Sequence, residues 1–354
     1  MNNVGQPPGL VDVARRAGVS LSTVSRVLTG RVPVSPKLRE KVLAAVGELD
    51  YRPNAAAQAL VSGRSHTVAV LARNTLRYGY AATLQGIEEA ARAAGYTVTI
   101  TVVESGDPDH IAAAVNQALA QQLAGAIVIE FDEVGVASLE ALPETLPVVA
   151  AAGARRLRGA RPHAFLDDYQ GGKIATEYLL ALGHETVHHI AIPATRSKTG
   201  RAWGWRQALQ QAGARVPELI QAGYAPVSGY DAAQTLLDDP DVTAILCGND
   251  ELAIGVLRAF QERGRRVPDQ LSVIGFDDQP FAAQWYPSLT TVTQDFIGLG
   301  RRTFHLLEAW IRTGERPRDS SMTPTLTVRE STKSIGTRTI AVRGESTDAT
   351  ATTK

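Results

Sequence analysis

The sequence predicts an α/β protein in which a small all-helical module precedes two lobes of doubly wound parallel sheet. Three observations carry that expectation. Apolar residues in the first fifty positions recur at helical spacing, short Val/Ile-rich runs alternate with Ala-rich helical stretches from about Thr67 onward, and charge is divided unevenly between the two regions.

Leu10, Val13, Ala14 and Ala17 fall at i, i+3, i+4 and i+7, so residues 10–17 form one amphipathic helix that Gly18 stops. Ser20 is a suitable N-cap for a second helix, with Val24, Val27 and Leu28 on its buried side and Ser22, Thr23, Ser25, Arg26 and Thr29 on the other. Ser35 as N-cap and Pro36 at the first helical position open a third helix, buried through Leu38, Val42, Ala45, Val46 and Leu49, and Pro53 closes the module.

Beyond it, strands are expected at 67–72, 96–103, 125–130, 147–151, 187–192, 242–247 and 271–276, with helices at 81–94, 111–122, 171–182, 201–212 and 249–263 between them. Strand alternating with helix means parallel sheet, and some 260 residues of it is long for a single one. The Arg-, Gly- and Ala-rich stretch 155–162 marks the expected break between lobes. Ligands of open α/β sheets sit at the carboxyl ends of the strands, so two facing lobes would clasp a small molecule. Residues 331–354, rich in Ser and Thr with few large apolar side chains, read as a disordered tail, and they contain no leucine heptad that could oligomerise.

Lys+Arg and Asp+Glu balance at 36 each, but residues 1–65 hold nine basic side chains against four acidic ones. A basic module on an acidic body suits contact with nucleic acid at one end. The only cysteine, Cys247, excludes an internal disulfide and a cysteine-built metal site in one chain, and fits a reducing compartment. The first nine residues show no basic run followed by an apolar one, and no 18 residues run without charge or turn formers. A cytoplasmic chain that does not span a membrane is the expectation.

Residues 10–28 have the spacing of a helix-turn-helix: a helix, a tight Gly18-Val19-Ser20 turn, and a second helix with a small polar outer face. Such a face can enter a major groove about 12 Å wide, with Arg26 in reach of a guanine or a phosphate. Taken alone, the same pattern also suits a three-helix module that binds protein.

These residues carry a resemblance to the LacI/GalR family of bacterial transcriptional regulators. The carrying phrases are VDVARRAGVSLSTVSRVL at 11–28, VSPKLREKVLAAVGELDYRPN at 34–54 and AAAQALVSGRS at 55–65, followed by YLLALGH at 178–184, GNDELAIGVLRAF at 248–260, VPDQLSVIGFDD at 267–278 and PSLTTVTQD at 287–295. Together they span about residues 10–330, in order. The resemblance implies a helix-turn-helix DNA-binding domain over 8–53, a hinge over 54–65 and a two-lobed, periplasmic-binding-protein-like effector and dimerisation domain over 66–330.

It also implies roles. Leu21, Ser22 and Arg26 match recognition-helix residues that read base edges, while Ser20, Thr23, Ser25 and Asn54 match groups near phosphates or helix caps. Leu21 and Ser22 replace the tyrosine and glutamine of the family's best-known member, so its operator sequence does not transfer. Residues 54–63 resemble the hinge that becomes helical only on operator DNA, where Leu60 matches the leucine wedged into the minor groove, with Ala57 beside it. An Ala-rich segment this short is marginal as an isolated helix, which suits folding on DNA, and an ordinary linker is the plain alternative.

For the effector, Arg201, Asn249 and Asp277 match positions that hydrogen-bond a sugar, and guanidinium, amide and carboxylate together suit vicinal hydroxyls. Tyr224 and Phe296 match positions where an apolar face covers the ring, and Tyr78, in the loop after the first strand, is a further candidate. Ala152 stands where that member has an aspartate, so one sugar contact is missing or supplied elsewhere. Each of these residues taken singly could instead be structural, Asp277 beside Asp278 for example as a helix cap.

His184-Glu185-Thr186-Val187-His188 is a literal H-E-x-x-H, the zinc-protease pattern. Its context is wrong, because Gly183 stops a helix and residues 186–192 head into a strand, where positions four apart are separated by about 13 Å. No Ser/His/Asp triad, phosphate-binding or dinucleotide-binding fingerprint accompanies it.

The sequence therefore predicts a homodimeric regulator without catalytic activity, cofactor or metal. Its expected partners are a near-palindromic double-stranded operator and a neutral mono- or disaccharide that releases it. A sugar-binding receptor-like protein whose N-terminal module binds protein is the alternative from another class, and a zinc hydrolase is a third.

Overall fold

The computed structural model describes residues 8–29, 33–51, 65–155, 161–193 and 199–335. The chain divides into two units, Met1–His66 and Thr67–Lys354. The expected hinge positions Asn54, Ala57 and Leu60 lie outside the described residues.

The first unit is built from α1 (Leu10–Ala17), α2 (Leu21–Thr29) and α3 (Pro36–Glu48). Gly18 adopts φ 65° beyond α1, a left-handed turn that glycine takes without steric cost. Val13, Ala14, Val24, Val27, Val42, Ala45 and Tyr51 form its core. Leu38, expected inside, is 37% exposed, since α3 turns its buried stripe through Val42 and Ala45 instead. Ser35 holds the N-cap position of α3 without a side-chain cap bond, and Arg16 pairs with Glu48 to tie α1 to the end of α3.

Among the described residues the second unit contains two six-stranded sheets. The first is built from β1 (Thr67–Ala72), β2 (Thr97–Val102), β3 (Gly125–Glu130), β4 (Val148–Ala152), β5 (His163–Leu166) and β11 (Ser320–Met322), in the order β11-β5-β4-β3-β1-β2. The second is built from β6 (His188–Ala191), β7 (Ile220–Gln221), β8 (Ala244–Cys247), β9 (Ser272–Asp277), β10 (Thr290–Thr293) and β12 (Thr325–Thr327), in the order β12-β10-β9-β8-β6-β7. Every pairing is parallel except β10 with β12. β1 and β3 are buried almost throughout, as strands covered by helices on both faces must be.

Helices α4 (Tyr78–Ala93), α5 (Pro108–Leu119) and α6 (Glu133–Ala141) alternate with the early strands of the first sheet, and α7 (Asp168–Ala181), α8 (Arg201–Gln211), α9 (Pro226–Ala233) and α10 (Asp250–Glu262) with those of the second. Helix α11 (Phe296–Thr313) follows β10 but packs on α4, back in the first lobe. The lobes are therefore not consecutive stretches of chain. β5 lies beyond the expected break at 155–162 and still pairs with β4, because the first sheet recruits one more strand before the chain crosses over. A second crossing follows β10 and a third separates β11 from β12.

The expected tail also starts too early. Ser331 is fully buried, its hydroxyl donating to the Val273 carbonyl at 2.6 Å, and the Ile335 amide donates to the Leu182 carbonyl at 3.1 Å. The Ser331 hydroxyl also accepts from the Thr290 amide at 2.8 Å, so it satisfies backbone groups of two strands of the second sheet, which a composition argument treats as mere solvation. Residues 336–354 lie outside the described residues. Among the described residues no helix is long and apolar enough to cross a membrane.

Candidate effector site and nucleic-acid interface

A cavity opens where the strands of both sheets end, lined from the first lobe by Arg77, Tyr78, Tyr80, Glu130, Phe131 and Phe296 and from the second by Asp168, Arg201, Tyr224, Asn249, Asp277 and Gln279. The placement follows from topology: Glu130 ends β3, Asp277 ends β9, and Gly153 and Gly248 directly follow β4 and β8.

Arg201, the first residue of α8, organises the polar side of the cavity. Its Nε lies 3.2 Å from Asp168 Oδ2 and its Nη2 3.1 Å from Asp277 Oδ1. Nη2 also donates to Gln294 Oε1 at 3.2 Å, Nη1 donates to the Gly248 carbonyl, and Cζ stacks 3.9 Å from the centroid of the Phe276 ring. Gln294 closes the circuit by donating from Nε2 to Asp168 Oδ1 at 2.6 Å. Burial pushes the Asp277 carboxyl up to about 7 against the lowering effect of Arg201, and burial likewise raises Asp168. Asp277 has φ 102° and Asp278 φ 51°, left-handed backbone that non-glycine residues seldom adopt, stored where the ion-pair circuit fixes it. Asp278 is held by Arg329 at 2.8 Å and by the Thr293 hydroxyl at 3.0 Å, so it faces away from the role of helix cap.

The sequence-derived set meets here. Arg201, Asn249, Asp277, Tyr224, Phe296 and Tyr78 all line the one cavity. Phe296 packs edge-on to Tyr78 at 5.9 Å and to Phe131 at 5.8 Å, and Arg77 stacks 3.9 Å over the Tyr224 ring. Asn249 differs in detail from its expected use. Its Oδ1 caps α10 by accepting from the Leu252 amide at 2.8 Å, and Nδ2 donates to the Tyr224 carbonyl at 3.0 Å, leaving one amide hydrogen for a ligand.

Asp168, Gln294, Gln279, Arg77 and Glu130 were not read from the sequence. Asp168 and Gln294 stand 126 positions apart and acquire meaning only through Arg201. His189 also lines the cavity; its Nδ1 donates to the Leu246 carbonyl at 2.8 Å, and burial pushes the ring down to about 4, so it is neutral.

The H-E-x-x-H residues do not share a helix. His184 has Nδ1 3.0 Å from the Thr243 hydroxyl and Nε2 3.0 Å from that of Ser272, while His188 sits in β6. Among the described residues no group of three or more His, Cys, Asp or Glu is arranged to hold a metal.

In the first unit the Ser20 hydroxyl caps α2 by accepting from the Thr23 amide at 3.3 Å, and lies 2.9 Å from both the Ser22 and Thr23 hydroxyls. Leu21, 49% exposed, Ser22 and Arg26 form the outward face of α2, whereas Val24 and Val27 anchor its inner face.

A helix-turn-helix head and a ligand-clasping α/β body together define a ligand-responsive DNA-binding regulator. Residues 9–54 match the bacterial regulatory proteins of the lacI family, and residues 176–332 match the periplasmic binding protein-like domain. The chain is 32% identical to the catabolite control protein A of Priestia megaterium over 85% of this chain and 92% of that protein. It is 31% identical to the lactose operon repressor of Escherichia coli K12 over 96% of this chain and 94% of that one. Among solved structures it resembles the lac repressor dimer bound to operator and the anti-inducer ONPF, with TM-score 0.82 and 29% identity, covering 93% of this chain and 100% of that one. The complex of the transcriptional regulator CelR with cellobiose gives TM-score 0.68 at 30% identity, covering 92% of this chain and 99% of that one. The chain belongs to the LacI family and is a DNA-binding transcriptional regulator.

Proposed function

We propose that this regulator is a cytoplasmic homodimeric repressor, without catalytic activity, which a neutral mono- or disaccharide releases from a near-palindromic operator. The observation that carries the reading is the Arg201 circuit. Two carboxylates, an amide and a guanidinium converge at the ends of both sheets beneath an aromatic cover, a donor and acceptor set suited to vicinal hydroxyls on an apolar ring. That the CelR structure is a complex with cellobiose supports a saccharide ligand.

On this reading Leu21, Ser22 and Arg26 read bases, Ser20, Thr23, Ser25 and Asn54 support the backbone contacts, and Ala57 and Leu60 enter the minor groove. Two heads related by a two-fold axis occupy two half-sites. A sugar that binds one arrangement of the lobes better than the other shifts operator affinity by its differential affinity, typically about 1–3 kcal/mol. Selection of bound fragments from the source genome, followed by titration of saccharides against the recovered operator in a gel-shift assay, tests the proposal. Release by a neutral saccharide supports it; tighter operator binding with the same sugar would reverse the sign to corepression, and absence of specific DNA binding would overturn the whole reading.

A further inference from the structure

The end of β4 carries Ala152, and Gly153 and Ala154 follow it on the cavity wall, so this strand end brings no polar side chain to the site. Asp168, the first residue of α7, fills that corner from a different element. Its amide donates to the Gly153 carbonyl at 3.2 Å, and its Oδ2 lies 2.9 Å from where a Cβ on Gly153 would stand. The carboxylate cannot simply swing aside, since Gln294 Nε2 donates to Oδ1 at 2.6 Å and Oδ2 is ion-paired with Arg201 Nε at 3.2 Å.

Arg201 is correspondingly committed. Its Nη1 and Nη2 donate to the Gly248 carbonyl and Gln294, its Nε and Nη2 stand at ion-pair distance from Asp168 and Asp277, and one face of the guanidinium is covered by Phe276. A guanidinium so engaged acts as a brace that fans two carboxylates into the cavity rather than as a receptor for an anion. Each carboxylate keeps lone pairs beyond those the brace uses, so the surface offered to a ligand is rich in acceptors. Hydroxyl groups satisfy such a surface; at this corner a phosphate or carboxylate on the ligand would meet acceptor oxygens rather than donors in a poorly solvated site, Arg77 lining the cavity from the first lobe instead.

We propose that Asp168 is a specificity-determining residue of the effector site. It supplies from α7 the acceptor that β4 lacks, in a corner kept open by Gly153, and with Asp277 it selects an uncharged polyhydroxylated ligand over the phosphorylated form of the same sugar. The inference rests on the saccharide reading above and extends it to the residue that discriminates.

The test is a thermal-shift titration of the full chain with D-glucose, D-galactose, D-fructose, cellobiose, glucose 6-phosphate and fructose 6-phosphate. A neutral sugar is expected to raise the melting temperature, and its 6-phosphate to leave it unmoved. For the sugar that binds, Asp168→Asn weakens apparent affinity by about tenfold or more, the scale of one charge-assisted hydrogen bond in a buried site. Gly153→Ala weakens it as well, although it removes no polar atom, because the new methyl displaces the carboxylate. Should Asp168→Asn lower the unliganded melting temperature, Gly153→Ala and the sugar-to-phosphate comparison on the unaltered chain still decide. A neutral sugar that binds the original chain and both variants alike overturns the role of Asp168 and leaves the saccharide reading intact. A 6-phosphate that binds as well as its parent sugar overturns the selectivity. Silence from every neutral sugar removes the saccharide reading, and the proposal falls with it.

Discussion

Arg201 lies over Phe276 with its Cζ 3.9 Å from the ring centroid. Phe276 is fully buried in β9, directly before Asp277, so one strand provides both the platform for the guanidinium and one of the carboxylates at its edge. Stacking uses the flat face and leaves the edge for in-plane donors, a geometry open to a planar cation and closed to an ammonium.

Arg201→Lys is therefore expected to abolish most of the ligand response despite retaining the charge. One ammonium cannot span Asp168, Asp277 and the Gly248 carbonyl, and the loss of the two ion pairs, together with a charge-assisted bond to Gly248 of about 1.5–3 kcal/mol, reaches the ligand through misplaced carboxylates. The check is a gel-shift titration with the releasing sugar, in which the variant should bind operator and fail to let go. Normal release would show that the fork is dispensable.

The Gly172 and Gly204 pair makes this placement possible. A Cβ on Gly204 would run into the Tyr169 carbonyl and one on Gly172 into that of Arg201, so α7 and α8 meet backbone to backbone. The close crossing sets Asp168 at the start of one helix beside Arg201 at the start of the other. Gly204→Ala should destabilise the body by about 1–3 kcal/mol through overpacking, and should weaken sugar binding at the same time. Calorimetric unfolding with and without sugar separates the two effects, and an unchanged melting temperature would contradict the crossing.

Much of this architecture is legible in the sequence, for identifiable reasons. β1 and β3 are six-residue apolar runs, and the sequence places them at the same residues as the structure. β5, β11 and β12, with four, three and three residues, are too short to show a period. The return of α11 to the first lobe leaves no local trace, because its apolar side would suit either lobe. The site divides along the same line. Asn249 and Asp277 sit in recognisable phrases and so does Gln294, but Asp168 looks like an ordinary helix-start acid and Gln294 like a strand-end amide until the fold brings them to one guanidinium.

Asp250 gives the body a pH dependence of definite sign. Its fully buried carboxyl accepts from the Thr291 hydroxyl at 2.5 Å and the Gln279 amide at 2.7 Å, and burial first, then Asp277, push it up to about 8. An unfolded aspartate titrates near ~4. The folded state thus holds a proton that the unfolded state has released between those values, and the stability it contributes is complete below about pH 4 and lost as pH rises through 8. Asp250→Asn keeps the shape and removes the titration. Melting temperatures from pH 5 to 8.5 should fall more steeply for the original chain than for the variant, and parallel curves would refute the assignment.

Leu21 and Val24 test the head from opposite sides of one helix. Val24 is fully buried and Leu21 is 49% exposed. Val24→Ala removes about two methylene equivalents at ~0.8 kcal/mol each and leaves a cavity, so roughly 2 kcal/mol of head stability should go, a large share for so small a core. Operator binding by that variant should therefore fail on warming and recover on cooling, with sequence preference unchanged. Leu21→Ala should cost under about 0.5 kcal/mol in stability. Its operator affinity should drop at every temperature, and discrimination at the contacted base pair should relax by about 1–3 kcal/mol, the usual worth of one correctly read position. Binding to a library of single-base operator variants at two temperatures separates the cases. If Leu21→Ala lost affinity equally for all sequences, Leu21 would be a backbone contact rather than a reader. If Val24→Ala changed preference without a temperature dependence, the inner and outer faces of α2 would have been assigned the wrong way round.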